Sequence, residues 1–549
     1  MSEKPFDWHA HAESMRARGL WQDLTLDDLL TRAVSRSPDK TVLMAYRADT
    51  GSDRPVRTLT YRELEALVAR AAGALRGLGI GKGDIVGLML PNWWEFVVYA
   101  FAINRIGAVV NPLMYIFRER ELRYMLGFAG TRAIVIPDAF RGFRFPPMLE
   151  GLRGDLPLLE QVIVVGGEED SGILDLLRPA AHPPVGPNPP ERLAPDALSC
   201  LMYTSGTTGE PKGVMHCYNS LIACCDALGE RFRLGDDCVL HGCSPVGHMN
   251  GYASTMLLAI YYGGSFTFQD IWEPKAGVAI MAREGVNHIS AATPFLADMC
   301  NAVEAGAPKP PLRTFHCGGA QIPPSVIERG FEVLDVPASS LWGMTEALGG
   351  SLTEPERARE KSSSTDGRVL KGMELLITDD DYKPLPVRKT GRLLVRGAAM
   401  FMGYYKRPDL PALRPGGWFD TGDMAYMDEE GYIRIDGRTK DIIIRGGENI
   451  PVMEIETLLY RMPAVADAAL VAYPDERLGE RACAFVVLKP DRDLALADIR
   501  TWMGRCDVAK QYWPERLEII DAMPRTASGK IQKNVLREQA AATRTAFAL

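Results

Sequence analysis

The sequence predicts an α/β protein: a large N-terminal part made of parallel-sheet subdomains with a β-rich subdomain, and a small C-terminal α/β part. Three observations predict it. Short apolar runs alternate with helical stretches through the N-terminal half, which implies parallel sheets covered on both faces. A stretch rich in strand signals follows residue 346. The polar run Asp436-Gly437-Arg438-Thr439-Lys440-Asp441 then separates two apolar runs and marks a boundary.

Taken in order, Thr60 and Glu63 form a capping box ahead of a helix with the apolar face Leu64, Leu67, Ala71, Leu75 and Leu78, stopped by Gly79. Ile85 to Leu90, Ala133 to Ile136 and Val162 to Val165 read as buried strands. Pro179 to Pro195 carries seven prolines, so it is neither helix nor central strand. It is expected to cross between two subdomains. Alternation resumes from Ser199 to about Glu346, and Leu393 to Arg396 and Tyr432 to Ile435 are expected strands. The expected divisions are residues 1–435, 436–441 and 442–549.

Composition narrows the function. At 549 residues, a prior of about 150 residues per domain gives three to four structural units. Apolar residues at 46% and charged residues at 24% are ordinary for a folded protein. Lys and Arg number 62 against 70 Asp and Glu, a net charge of −8, so no nucleic-acid partner is expected. The first ten residues include acidic ones and hold no apolar core, so no secretory leader is expected. The apolar run Gly251 to Gly264 is too short to span a membrane and reads as core. Ten cysteines without CxxC spacing read as reduced, mostly buried thiols of a cytoplasmic protein.

The most informative stretch is Tyr203-Thr-Ser-Gly-Thr-Thr-Gly-Glu-Pro-Lys-Gly213. A Ser/Thr/Gly loop after a strand can wrap phosphate with N–H groups and hydroxyls, and Lys212 adds charge. Pro211 before Lys212 and Gly213 after it separate this loop from the G-x-x-x-x-G-K-[ST] type. The stretch resembles the signature loop of the adenylate-forming enzymes: acyl-CoA synthetases, adenylation domains and luciferases. The resemblance continues, in order, through Leu59-Thr-Tyr-Arg-Glu-Leu64, Gly81-Lys-Gly-Asp84, Gly318-Gly-Ala320, Trp342-Gly-Met-Thr-Glu346, Thr421-Gly-Asp423, Gly437-Arg-Thr-Lys-Asp441 with Gly446-Gly-Glu-Asn-Ile450, and Pro524-Arg-Thr-Ala-Ser-Gly-Lys530. Several such motifs in one order are far more specific than any one.

The resemblance implies roles. Thr204, Ser205, Gly206, Thr207, Thr208 and Lys212 would cradle the ATP phosphates. Gly318, Gly319, Ala320 and Trp342 would meet adenine, with Gly343, Met344 and Thr345 completing that wall. Asp423 would accept from the ribose hydroxyls, and Arg438 would add charge nearby. Glu346, with Thr208, would hold Mg²⁺, a cation that prefers hard oxygen ligands. Lys530 would bring its ammonium to the α-phosphate and the carboxylate, where charge stabilisation does most of the work. Trp342 stands where most relatives have Tyr.

Ser244 to Gly251 resembles the segment lining the acyl site. His248 would gate the carboxylate end, while Met249, Gly251 and Met344 would line the pocket. The segment has no Asp or Glu to pair with an ammonium, so the acid is expected to lack an α-amino group. For the second half-reaction, a mobile C-terminal domain would turn about a hinge at Lys440 and present Gly446, Gly447 and Glu448 to the pantetheine channel. Lys510-Gln-Tyr-Trp-Pro514 departs from a Lys-Tyr-Lys pattern common in relatives, so CoA phosphate contacts do not carry over there.

The expected activity is an ATP- and Mg²⁺-dependent carboxylic acid–CoA ligase, AMP-forming, with coenzyme A as co-substrate. By overall look the chain is similar to ligases of short/medium-chain fatty acids and of cyclohexanecarboxylate; an aromatic acid also fits. The alternative is a stand-alone enzyme loading a carrier protein. A homo-oligomer is compatible with the sequence, and a lysine acetyltransferase would have Lys530 as its target.

Overall fold

The computed structural model describes residues 6–48, 54–166, 183–189, 192–204, 211–318, 322, 324–410, 413–438, 443–445, 448–475, 478–506, 508, 510–526 and 529–542. The described residues build four main sheets. The nine-stranded sheet has a parallel centre. Its strands Ala338–Trp342, Thr314–Gly318, His288–Ala291, Val239–Gly242, Ser265–Gln269 and Thr41–Tyr46 lie side by side. Each adjoining pair is parallel. Antiparallel strands close both edges.

The seven-stranded sheet runs Gly403–Tyr404, Lys212–Cys217, Leu198–Thr204, Val109–Pro112, Ile85–Leu88, Ala133–Pro137 and Gln161–Val165. Its apolar strands are fully buried, as sheets covered on both faces must be. The expected capping box is present: Thr60 accepts from the Glu63 N–H, Glu63 from the Thr60 N–H, and the helix Tyr61–Gly77 follows.

One expectation is corrected. The proline-rich segment does not cross between subdomains. Gln161–Val165, before it, and Leu198–Thr204, after it, belong to the same sheet. Prolines dictate an extended path but not its destination. Here the described part runs over the helix Tyr61–Gly77: Val185 N–H donates to Ala69 O, and a Cβ on Gly73 would collide with Pro183 O.

The β-rich stretch is an antiparallel sheet of Met373–Thr378, Gly391–Gly397, Phe419–Met427 and Ile433–Arg438. The last strand runs to Arg438, into the segment expected as a boundary. Beyond it, Glu448–Ile450, Ile443–Arg445, Gly479–Leu488 and Val465–Asp475 form a separate sheet, joined by Arg516–Ile519. This sheet has core clusters of its own, around Ile455, Leu459 and Ile499 and around Phe485 and Leu536. Among the described residues no helix is long and apolar enough to cross a membrane. Met249–Gly251, Tyr252–Leu257 and Leu258–Tyr262 make one continuous helical run, mostly buried.

Candidate active site

Four adjacent parallel strands of the nine-stranded sheet end at the expected site. Ala338–Trp342 delivers Trp342, Thr314–Gly318 delivers Gly318, His288–Ala291 leads to Ala292, and Val239–Gly242 leads to His248. Ligands of open α/β sheets bind beyond the carboxyl ends of the strands, and the residues gather there.

The strand Lys212–Cys217 ties the phosphate-loop end to the Trp342–Glu346 motif. Val214 pairs with Tyr404, whose hydroxyl donates to Glu346 Oε1 at 2.9 Å. The Lys212 ammonium lies 5.0 Å from the centre of the Tyr404 ring. On the same strand, buried His216 places Nε2 2.7 Å from Thr345 O. A carbonyl only accepts, so the imidazole proton sits on Nε2, and Nδ1 faces Ser220 Oγ. Burial pushes His216 down to about 4, so it is neutral at pH 7. Glu346 is 6% exposed. One buried carboxylate held by a phenol, with no group of three or more His, Cys, Asp or Glu side chains among the described residues, suits Mg²⁺ that keeps most of its ligands from nucleotide phosphates and water.

Trp342 Nε1 donates to Asp423 Oδ2 at 2.8 Å. Asp423 lies on the strand Phe419–Met427, opposite Arg438 in register, and its N–H donates to Thr421 Oγ1.

His248 begins a helical turn. Its Nδ1 accepts from Asn250 N–H at 3.2 Å, so its neutral ring carries the proton on Nε2. Burial, then the charge of Lys530, lowers it to about 4. The turn that carries His248 is tied to the strand His288–Ala291, where Asn250 donates to Ser290 O at 3.1 Å, and the hairpin of Lys530 lies at the end of that same strand. The contact surface agrees: a Cβ on Gly529 would sit 3.6 Å from Pro294 and 3.8 Å from Ala292. Gly529 has a φ of +85°, which a side chain would resist. The lysine loop is a tight hairpin. Thr526 N–H donates to Lys530 O, Lys530 N–H to Thr526 Oγ1, and Arg525 to Gly529 O. Arg525 also pairs with Asp467 at 2.5 Å, and Asp467 accepts from the Tyr460 hydroxyl.

Met249 and Met256 are buried in the large core cluster. Gly251 packs on the backbone of Ser244 and Pro245, Gly343 on Leu348 O, and Met344 lies against the core. Thr204 pairs with Lys212 across the strands flanking the phosphate loop. Ser205, Gly206, Thr207, Thr208, Gly319, Ala320, Lys440, Gly446 and Gly447 lie outside the described residues, as do the side chains of Arg438 and Glu448.

Sequence reasoning missed Asn92, His216, Tyr404, Arg525 and Asp467. Asn92 donates to Gly242 O and Ser244 O at 3.0 and 3.1 Å and accepts from Val246 N–H at 2.9 Å, holding the segment before His248. A polar residue two positions past the apolar run Ile85 to Leu90 was its available signal. Arg525 sits inside a motif already noted.

Residues 30–405 match the family model for the AMP-binding enzyme, and residues 454–530 match that of the AMP-binding enzyme C-terminal domain. The chain belongs to the AMP-binding enzyme family. Enzymes of this family use ATP, Mg²⁺ and coenzyme A, and this member is an acid–thiol ligase by class. A medium-chain fatty-acid–CoA ligase of Escherichia coli (strain K12) is 35% identical, over 95% of this chain and 92% of its own. A salicyl-AMP ligase / salicyl-S-ArCP synthetase of Mycobacterium tuberculosis is 34% identical, over 96% and 93%. The crystal structure of ATP-bound MatB from Rhodopseudomonas palustris superposes with a TM-score of 0.81 at 26% identity, covering 94% of this chain and 99% of that one.

Proposed function

We propose that the protein converts a carboxylic acid without an α-amino group to its CoA thioester, through an acyl adenylate, at the site bounded by Lys530, His248, Trp342, Glu346 and Asp423. The observation that carries this reading is the seating of the lysine hairpin, through Gly529, against Ala292 and Pro294 beyond the strand end to which the His248 turn is also tied. A substrate carboxylate oxygen attacks the α-phosphorus of ATP, the bond to pyrophosphate breaks, and the acyl adenylate forms. The Lys530 ammonium faces the negative charge that gathers there. The His248 Nε2–H can donate to the carboxylate without adding a charge. Mg²⁺ supplies charge neutralisation on the phosphates, and Glu346 would hold it. The CoA thiolate then attacks the acyl carbon and AMP leaves.

Gly446, Gly447 and Glu448 are proposed for the CoA face, with residues 436–441 as the hinge between 1–435 and 442–549. The phosphate roles of Ser205 to Thr208 and the adenine roles of Gly318 to Ala320 belong to the same proposal. A short or medium-chain fatty, alicyclic or aromatic acid fits an acyl segment free of charged side chains. Ten unpaired cysteines support a cytoplasmic location. Acetylation of Lys530 would remove the ammonium and switch adenylation off.

The test is a panel of linear, alicyclic and aromatic acids assayed for CoA-dependent AMP release and thioester product. Turnover with at least one acid and free CoA is expected. Adenylation without thioester for every acid would favour the second reading, transfer to a carrier protein, which the similarity to the salicyl-S-ArCP synthetase supports.

A further inference from the structure

Trp342 does more in this chain than present a flat ring. Its indole N–H points at Asp423 Oδ2, 2.8 Å away, with the two residues 7% and 4% exposed. They come from different sheets: Trp342 ends a parallel strand of the nine-stranded sheet, and Asp423 lies in the four-stranded antiparallel one. The ring is fixed on its other side. A Cβ on Gly350 would lie only 2.2 Å from Trp342 Cζ3, so the indole rests directly on that glycine, and Gly350 N–H donates to Trp342 O.

We propose that Trp342 is a positioning residue for ribose recognition: its indole N–H fixes one oxygen of the Asp423 carboxylate and so aims the group at the nucleotide ribose hydroxyls. This rests on the proposed function, in which Asp423 accepts from the ribose. The adenine wall and the ribose acceptor are thereby one mechanical unit. A phenylalanine would keep an aromatic ring beside Gly350 but lose the link and part of the buried ring volume, and the second loss acts on both nucleotides alike. A hydrogen bond to an ionised acceptor is stronger than a neutral one, and its loss from a buried site is felt as about a tenfold or larger change in affinity.

The test is calorimetric binding of AMP and of 2′,3′-dideoxy-AMP to the full-length protein and to Trp342→Phe, which needs no knowledge of the acid. The expected result is an AMP Kd raised about tenfold more than the dideoxy-AMP Kd, whatever loss of adenine contact the two nucleotides share. The preference for ribose hydroxyls then falls about tenfold beyond any loss common to both nucleotides. Trp342→His carries a ring N–H at a similar distance from Cβ and should recover part of that preference; it also serves if the Phe variant does not fold. An equal weakening of both nucleotides would mean that Trp342 acts by packing alone and would overturn the inference. So would an unchanged ratio, or a His variant that recovers none of it. Failure of the wild-type protein to bind AMP at all would instead overturn the proposed function.

Discussion

Lys530 sits exposed at the end of its hairpin, yet its charge reaches His248 on another sheet's strand end. In the proposed function a cation placed there serves the step in which negative charge builds on the α-phosphorus. It has no equivalent task once the adenylate exists. Lys530→Ala should therefore lower adenylate formation by about 10² to 10³, the usual loss when one preorganised charge partner is removed. Thioester formation from a premade acyl adenylate should change by less than about tenfold. Pyrophosphate release and single-turnover transfer measure the two steps separately. Equal losses would show that the lysine serves the fold or both steps alike. Asn92 is the comparable residue on the acyl side. Its three buried hydrogen bonds hold Gly242, Ser244 and Val246. Asn92→Ala leaves those backbone groups without partners, at about 1–3 kcal/mol for each left unsatisfied. The expected outcome is a lower melting temperature and a raised KM for the acid, with KM for ATP nearly unchanged. Steady-state kinetics in both substrates checks it.

At the scale of elements, the lysine hairpin is held from below. Arg525 bridges Gly529 O and Asp467, and Asp467 lies in the strand Val465–Asp475 of the C-terminal sheet. Asp467→Asn keeps the shape and removes the charge, so Arg525 loses its ionic partner and the hairpin loses its fixed angle. Adenylation should fall about tenfold, since small misplacement of a catalytic group is costly. Transfer from premade adenylate should hold, as measured in the same two-step assay. A fall in both would place Asp467 in general stability instead. These supports also show what a sequence displays and what it hides. Glu346, Asp423 and Lys530 stand out as candidates because each lies in a contiguous motif. The strands Ile85–Leu88 and Ala133–Pro137 were legible because burial on two faces demands apolar runs. Tyr404 was not, because only the pairing of Val214 with Tyr404 brings it to Glu346. His216 reads as a stray polar residue in an apolar strand until Thr345 O is beside it. The proline-rich segment shows the same limit. Its composition excludes helix and central strand but cannot say that the chain returns to the sheet it left.

Over the whole molecule, histidine is distributed unevenly, and this sets the response to acid. All eight histidines lie at or before His316, and none lies in the C-terminal 233 residues' share of the chain that holds the lysine loop. Burial lowers His216 and His248 to about 4, His241 and His288 to about 3, and His316 well below its ordinary value. Both ring nitrogens of His316, and Nε2 of His241 and of His288, have no hydrogen-bond partner among the described residues. The folded form thus keeps these rings neutral, while the unfolded chain takes up protons near pH 6.5. Above about pH 6.5 neither form binds them and the full stability is present. As pH falls towards 4 the unfolded chain gains about 1.4 kcal/mol per pH unit for each such ring. His241, His288 and His316 sit on three neighbouring strands of the nine-stranded sheet, so their losses fall on one element. The C-terminal sheet has no such group and its own core clusters. Hydrogen exchange on the full-length chain from pH 7 to 4.5, corrected for intrinsic rates, should show protection lost first in Val239–Gly242, His288–Ala291 and Thr314–Gly318. The paired strands Val465–Asp475 and Gly479–Leu488 should keep theirs to lower pH. Simultaneous loss in both sheets would mean that one cooperative unit spans them, and retention in the nine-stranded sheet down to pH 4.5 would mean that its neutral histidines carry no linked stability.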